Sequence, residues 1–472
     1  MKTIFFNGII ALLGVLSANR VCAQQTFEKY YSGFAGSPSS VGLCVKPTSD
    51  GGFTVLGSLY YGADLGFLMI NVSASGDTLK TARYDGSGTS FCTGEGGNII
   101  VTGAKEGNML MMKLDVDFNP IWVNFPGMSY ATGTSACKLS DNGNCFVGKF
   151  SLHQYWYKYL YVVKTDDDGH IIWERYFGGA GDDPDAQSVK ETPDGGMLLC
   201  GSFKMKNDGS VNLGVMKISA SGDSLWMKNY CRTDQSRGYV ILPANPDGYF
   251  LIGTDQPDRG PIELYLVRIN EVGDTLWTRH YPGIKDVQAL GATRTSDGGY
   301  AIAATREIDS LNGPDLFLIR LNEHGDTLWT RPIGGPGTQS GRSIQQTTDG
   351  GFIVTGYGKR DDMSGSAIYL VKTDSLGNYT PYSIDNKTVI LPDVRIFPNP
   401  SNGIFRILVS GHADKIEVSD MRGNTIKSLV YKPESEAGYT LNLEMIPAGI
   451  YLLRVYSQEG ISVNKIIKIH GL

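Results

Sequence analysis

The chain has 472 residues, 41% hydrophobic and 10% aromatic, enough apolar material to fill the cores of several domains. Its 42 Lys+Arg against 48 Asp+Glu leave a net charge of −6 with no long run of either sign. No basic stripe suggests a nucleic-acid partner, and beyond the N-terminal segment nothing reaches the roughly 18 consecutive apolar residues that span a bilayer as a helix.

The N-terminus reads MKTIFFNGIIALLGVLSANRVCAQQ, with Lys2, an apolar run from Ile4 to Leu16, and Val21-Cys22-Ala23 before two glutamines. That layout predicts a secretory signal peptide over residues 1–23, cut after Ala23. Lipidation at Cys22 fits less well, because Arg20 and Val21 are not the small residues a lipoprotein signal places before its cysteine. The mature chain is expected to be exported, with no transmembrane segment.

From residue 24 to 382 one unit recurs. NEVGDTLWTR at 270–279 returns as NEHGDTLWTR at 322–331, and relatives stand at SASGDTLKTARY (73–84), DVDFNPIWVNF (115–125), TDDDGHIIWERY (165–176), SASGDSLWMKNY (219–230) and SLGNYTPY (375–382). The position four past the turn glycine is Lys80, Trp122, Trp173, Trp226, Trp277, Trp329 and Pro381, about 50 residues apart. A second anchor keeps the same count: DGGFTVLG at Asp50, EGGNIIVTG at Glu95, DNGNCFVG at Asp141, DGGMLLCG at Asp194, DGYFLIG at Asp247, DGGYAIAA at Asp297 and DGGFIVTG at Asp349. Each unit holds four short strands and no helical periodicity.

Four antiparallel strands per unit of this length is one blade of a β-propeller, and a four-stranded sheet with two apolar faces needs neighbours on both sides. The predicted fold is therefore all-β: a seven-bladed β-propeller over 24–382, followed by a small Ig-like β-sandwich. The repeated Trp suits the wedge between adjacent blades, and the turn glycines suit two-residue hairpins. TFEKYYSG (26–33) and NYTPYS near 380 both copy the Trp-led segment, so one of them should close the ring by pairing the two ends.

Strand order puts the Asp-Gly-Gly and Gly-Asp-Thr turns on one face and the two variable connections on the other. Variable loops on a rigid scaffold are where binding sites occur. Two segments there are candidate ligand-binding elements: HQYWYKY, with Tyr155, Trp156, Tyr157 and Tyr159, and the acidic GAGDDPDA, with Asp182, Asp183 and Asp185. The aromatics could stack on sugar rings or simply extend the following strand. The acids, like Asp361 and Asp362, could pair for glycosidase chemistry or be solvated loop charges. Cleavage at Ala23 leaves Cys44, Cys92, Cys137, Cys145, Cys200 and Cys231. Cys137 and Cys145 flank the Asp141-Asn142-Gly143 turn and could face each other across a hairpin; small buried hydrophobes are the alternative for each. No catalytic motif, metal cluster or cofactor site is visible.

The stretch YFGGAGDDPDAQSVKETPDGGMLLCGS resembles the bacterial SBBP propeller repeat, and KTDDDGHIIWER is similar to PQQ-like repeats. These resemblances imply fold; the residues that would hold PQQ are not identifiable, so no cofactor is expected. Residues 383–393 (SIDNKTVILPD) are the expected linker. From Val394 to residue 472 short alternating strands suggest the sandwich. This tail resembles the type A sorting domain of the type IX secretion system of Bacteroidetes. The matching blocks are Pro398-Asn399-Pro400, Asp420 to Asn424 with Gly423, Pro447 to Leu453 with Gly449 and Tyr451, and Lys465 to Lys468. The resemblance implies engagement of the type IX machinery, passage through the periplasm and across the outer membrane, and a secreted or cell-surface product. The propeller is then expected to be a non-catalytic binding module for extracellular glycan or protein. Its rivals are a carbohydrate-active hydrolase or lyase and a structural surface protein.

Overall fold

The computed structural model describes residues 24–469 apart from 33–38, 62–63, 153–156, 179–182, 205–209, 231–232, 234, 245, 258–259, 282–287, 310–312, 382–393, 410–412, 421–423, 431–437 and 458–459. The signal segment and the linker lie outside the described residues. The chain divides into two units, residues 1–382 and 383–472.

The first unit is a ring of seven four-stranded antiparallel sheets. Blade 1 consists of β2 (Ser39–Pro47), β3 (Phe53–Tyr61), β4 (Asp64–Val72) and β5 (Thr78–Asp85), paired in that order. Blades 2 to 6 repeat the meander over residues 87–124, 131–177, 183–229, 236–281 and 288–333. Blade 7 is composite: β26 (Thr338–Gln346), β27 (Phe352–Lys359) and β28 (Ala367–Thr373) take their fourth strand from β1 (Phe27–Tyr31) at the other end of the chain. Of the two end segments that could close the ring, TFEKYY does so; residues 378–381 form no strand.

Seven buried clusters hold the ring, one between each adjacent pair of blades. Between blades 5 and 6, Phe250 stacks on Tyr300 at 4.1 Å amid Leu264, Leu266 and Ile302, all 0% exposed. Truncating any of these aliphatics would cost about 2–5 kcal/mol. Between blades 7 and 1, Ser40 N–H donates to the Ser366 carbonyl at 3.0 Å and Val45 N–H to Ser343 Oγ at 3.2 Å.

The repeated turns are one residue longer than the predicted two-residue hairpins. Gly51 N–H donates to the Thr48 carbonyl and Thr48 N–H to the Gly52 carbonyl. Gly76 and Ser73 repeat the pattern in the turn between β4 and β5. Only the third loop residue needs a left-handed backbone, which Gly51 (φ 85°) and Gly76 (φ 80°) supply.

The tryptophans do sit between blades, yet on the outermost strands and only half-buried. Each ring lies on the turn glycine of the next blade: Trp122 on Gly169, Trp173 on Gly222, Trp226 on Gly273, Trp277 on Gly325 and Trp329 on Gly377. The indole N–H of Trp173 donates to the Ala220 carbonyl at 3.1 Å. Two residues on, Arg175, Lys228, Arg279 and Arg331 lie over their own tryptophans. Tyr230, two further, donates to the Gly273 carbonyl at 2.7 Å. β1 makes the same set of contacts with blade 1: Phe27 lies on Gly76, Lys29 meets Asp77 at 3.4 Å, and Tyr31 donates to the Gly76 carbonyl at 2.5 Å.

The second unit is a two-sheet β-sandwich. One sheet pairs β29 (Val394–Phe397), β30 (Ile404–Val409) and β33 (Tyr439–Asn442). The other orders β32 (Thr425–Val430), β31 (Lys415–Ser419), β34 (Gly449–Ser457) and β35 (Gly460–Lys468). Phe405, Ile407, Ile416, Leu441, Leu453 and Ile466 fill the space between them. The motif blocks serve this packing. Asn399, between Pro398 and Pro400, donates to the Lys465 carbonyl at 2.8 Å and accepts from Ile467 N–H at 2.9 Å, fixing the last strand. Lys468 Nζ donates to the Glu444 carbonyl at 2.8 Å, and Tyr451, 7% exposed, donates to the Pro447 carbonyl at 2.7 Å. Gly449 opens β34; Gly423 lies outside the described residues.

Candidate functional site

The innermost strands of the seven blades all carry a β-bulge. Pairing slips between Gly42 and Cys44, Gly88 and Ser90, Gly133 and Ser135, Ala186 and Ser188, Gly238 and Val240, Ala289 and Gly291, and Gly341 and Ser343. The sequence writes this as small-x-small, a pattern that alternation alone does not reveal. A bulge leaves its extra residue unpaired and re-aims it. In six of the blades the residue facing the start of the bulge across the strand pair is a glycine, Ala304 taking the place in blade 6, and close backbone approach accounts for it. A Cβ at Gly356 would lie 1.8 Å from the Ser340 carbonyl oxygen, and one at Gly103 the same distance from that of Ser87.

The bulged residues surround a cavity of about 360 Å³ on the ring axis. Leu43, Thr89, Thr134, Gln187, Tyr239 and Arg342 line it with the small residues that follow them. Thr89 Oγ1 donates to the Gly133 carbonyl at 2.7 Å and Thr134 Oγ1 to the Ala186 carbonyl at 2.6 Å, so these two hydroxyls also tie neighbouring blades together. The wall presents hydroxyls, the Gln187 and Gln345 amides, the Tyr239 phenol and the Arg342 guanidinium. Its described lining residues include no carboxylate.

Toward the Asp-Gly-Gly turns, Lys46 and Lys190 stand on their inner strands at the level that Cys92 and Cys137 occupy on blades 2 and 3. Burial first, and the Lys46 charge second, depress the Lys190 pKa. Burial likewise pushes the Cys92 thiol up to about 12. The Cys92 thiol is therefore un-ionised near neutrality, unlike a reactive thiolate. Cys137 and Cys145 do stand opposite each other across their hairpin, as free thiols.

Of the aromatic candidates, Tyr155 and Trp156 lie outside the described residues, and only the backbone of Tyr157 is described, at the start of β12 (Tyr157–Thr165). Tyr159 stacks on Phe150 at 5.0 Å and meets the edge of Tyr176 at 6.0 Å. That is the strand-extension alternative. Asp182 lies outside the described residues, and Asp183 begins β14 (Asp183–Glu191) with only its backbone described. Asp185 pairs with Lys149 at 3.0 Å, and Asp362 takes two hydrogen bonds from Arg360 at 2.9 and 2.6 Å. Neither Asp185 nor Asp362 is among the described channel-lining residues.

The fold and its appended sandwich define a secreted β-propeller protein. Residues 395–469 match the secretion system C-terminal sorting domain, which makes the chain a type IX secretion cargo, exported to the cell surface or the extracellular space. Over 183 residues it is 27% identical to an endo-acting ulvan lyase of Formosa agariphila, covering 38% of this chain and 32% of that protein. Over 293 residues it is 24% identical to the regulatory protein FlaEY of Caulobacter vibrioides, covering 56% and 29%. The chain thus spans about a third of the length of these curated relatives. Among solved structures it is similar to the β-propeller domain of the Trilobed protease from Pyrococcus furiosus, with a TM-score of 0.44 and 10% identity over 75% of this chain and 98% of that one.

Proposed function

We propose that the propeller is a non-catalytic binding module for an extracellular glycan and that the axial channel is its site. The channel wall carries this reading. It offers many neutral donors and acceptors with one aromatic ring, a set suited to sugar hydroxyls and ring faces. Glycoside hydrolysis would instead use two carboxyl groups about 5–10 Å apart, and the described lining residues include none. A lyase is the second reading, favoured by the name of the ulvan lyase relative.

A glycan array probed with the mature protein, followed by calorimetric titration of the best hit, tests the proposal. Saturable binding that weakens about tenfold in Tyr239→Ala is the expected result. Accumulation of cleaved oligosaccharide would replace the binding module with an enzyme. Binding to protein ligands alone, or to nothing, would overturn the glycan assignment.

A further inference from the structure

The chain gives its buried strand lysines acidic partners. Lys113 meets Asp167, Lys164 meets Asp141 and Lys217 meets Asp194, at 2.6, 2.6 and 2.7 Å, and Lys372 meets Asp349 at 2.9 Å. Lys46 and Lys190 break this pattern. Both are partly buried, and neither has an ion pair or hydrogen bond among the described residues.

Their placement is symmetric. Lys46 on β2 and Lys190 on β14 each stand two residues past a channel-lining residue, Cys44 and Ser188 respectively. Side chains two apart on a strand share a side, so both lysines follow the channel wall one step beyond the lining. The same level on the other blades holds Cys92, Cys137, Leu242, Thr293 and Gln345, all neutral, of which Gln345 also reaches the channel wall. Two ammonium groups held near each other with little water are mutually unfavourable. An oxyanion between them would relieve both and would form charge-assisted hydrogen bonds.

We infer that Lys46 and Lys190 form an anion site at the end of the channel nearer the Asp-Gly-Gly turns, which seats a carboxylate or sulfate ester carried by the bound saccharide. This rests on the channel being the glycan site and names the class of glycan: an acidic one. Arg342, at the lining level above, adds a third positive charge along the same path.

The test titrates the mature protein with three probes of matched length: a uronate-terminated oligosaccharide, a sulfated one and their neutral parent. The wild type is expected to bind at least one acidic probe about tenfold or more tighter than the neutral one, and the probe that keeps the advantage identifies the group. Lys46→Met and Lys190→Met should each erode that advantage while leaving neutral binding unchanged, and Lys190→Met should melt no lower than the wild type, since it removes an unpaired charge. Lys46→Gln and Lys190→Gln give the same readout if the methionine variants fold poorly. Equal affinity for acidic and neutral probes, with binding lost in Tyr239→Ala, overturns the anion site and leaves the channel. An undiminished acidic advantage in the double variant also overturns it. A wild type that binds none of the three overturns the channel as well.

Discussion

Trp277 on the outer strand of blade 5 lies against Gly325 in a turn of blade 6, so closely that a Cβ at Gly325 would stand 2.7 Å from the indole Cη2. Gly325 also has φ 81°, a backbone state that L side chains rarely adopt. Gly325→Ala is therefore expected to cost about 1–3 kcal/mol. Trp277→Ala should cost about 2–3 kcal/mol, below the 3–5 kcal/mol of a fully buried tryptophan, because the ring keeps one flank in water. Chemical denaturation of both variants checks this. The double variant should lose less than the sum of the two, since the residues touch.

Acid should loosen the Asp-Gly turns. The Lys217 ammonium, first, and the Thr192 hydroxyl hold the Asp194 carboxyl at about 2, against 3.8 for the free group. A depressed carboxylate pKa means that the stabilisation is fully present above pH 3.8 and is lost as pH falls through about 2. Asp141, held down mainly by Lys164, should follow the same course. Asp194→Asn should flatten the acid limb of a Tm-against-pH curve. It should also cost about 1–2 kcal/mol at neutral pH, where it leaves the 8%-exposed Lys217 without its carboxylate.

Ring closure depends on five residues far from the rest of blade 7. Removing residues 24–32 would leave the edge of β28 unpaired and uncover Tyr369 and Leu370, which are 0% exposed in the intact ring. An open apolar edge is an aggregation site. Light scattering should show the truncated protein self-associating, and a synthetic TFEKYYSG peptide should suppress it. A truncated chain that stays monomeric with an unchanged Tm would show that β1 is dispensable.

Much of this architecture was legible in the sequence because its signals are local. The turn glycines, the Asp that accepts from the Gly two residues on, and the Trp position recur at a fixed period, so seven units could be counted without coordinates. The size of the turns was not legible: Asp-Gly pairs fit two-residue and three-residue hairpins alike. The half-burial of the tryptophans escaped for a different reason, since periodicity does not say which strand of a blade is outermost. The channel was hidden most deeply. Its described wall comes from the bulged residues of six blades and from Gly291 and Ala292 of the remaining one, and Leu43, Thr134 and Arg342 look like unremarkable strand residues until the ring brings them together. Lys46 and Lys190 are 144 positions apart, and only the ring puts them at the same level of two inner strands.

Asn399 is the test case for the sorting unit. It makes two hydrogen bonds to the last strand, at 2.8 and 2.9 Å. Asn399→Ala should therefore destabilise that sandwich by about 1–3 kcal/mol, leaving the Tm of the propeller unchanged and lowering the amount of protein reaching the medium or surface. The resemblance to type IX sorting domains implies removal of the tail within the linker, so intact mass of the exported wild-type protein should show a C-terminus between Ser383 and Val394; a terminus at Leu472 would contradict that.

The most direct measurement for the glycan-binding channel is a crystal structure of the mature protein soaked with its best array ligand. Sugar density is expected on the ring axis, touching Thr134, Gln187, Tyr239 or Arg342 with its acidic group toward Lys46 and Lys190. Density confined to the variable loops around residues 153–159, with an empty channel, would contradict it.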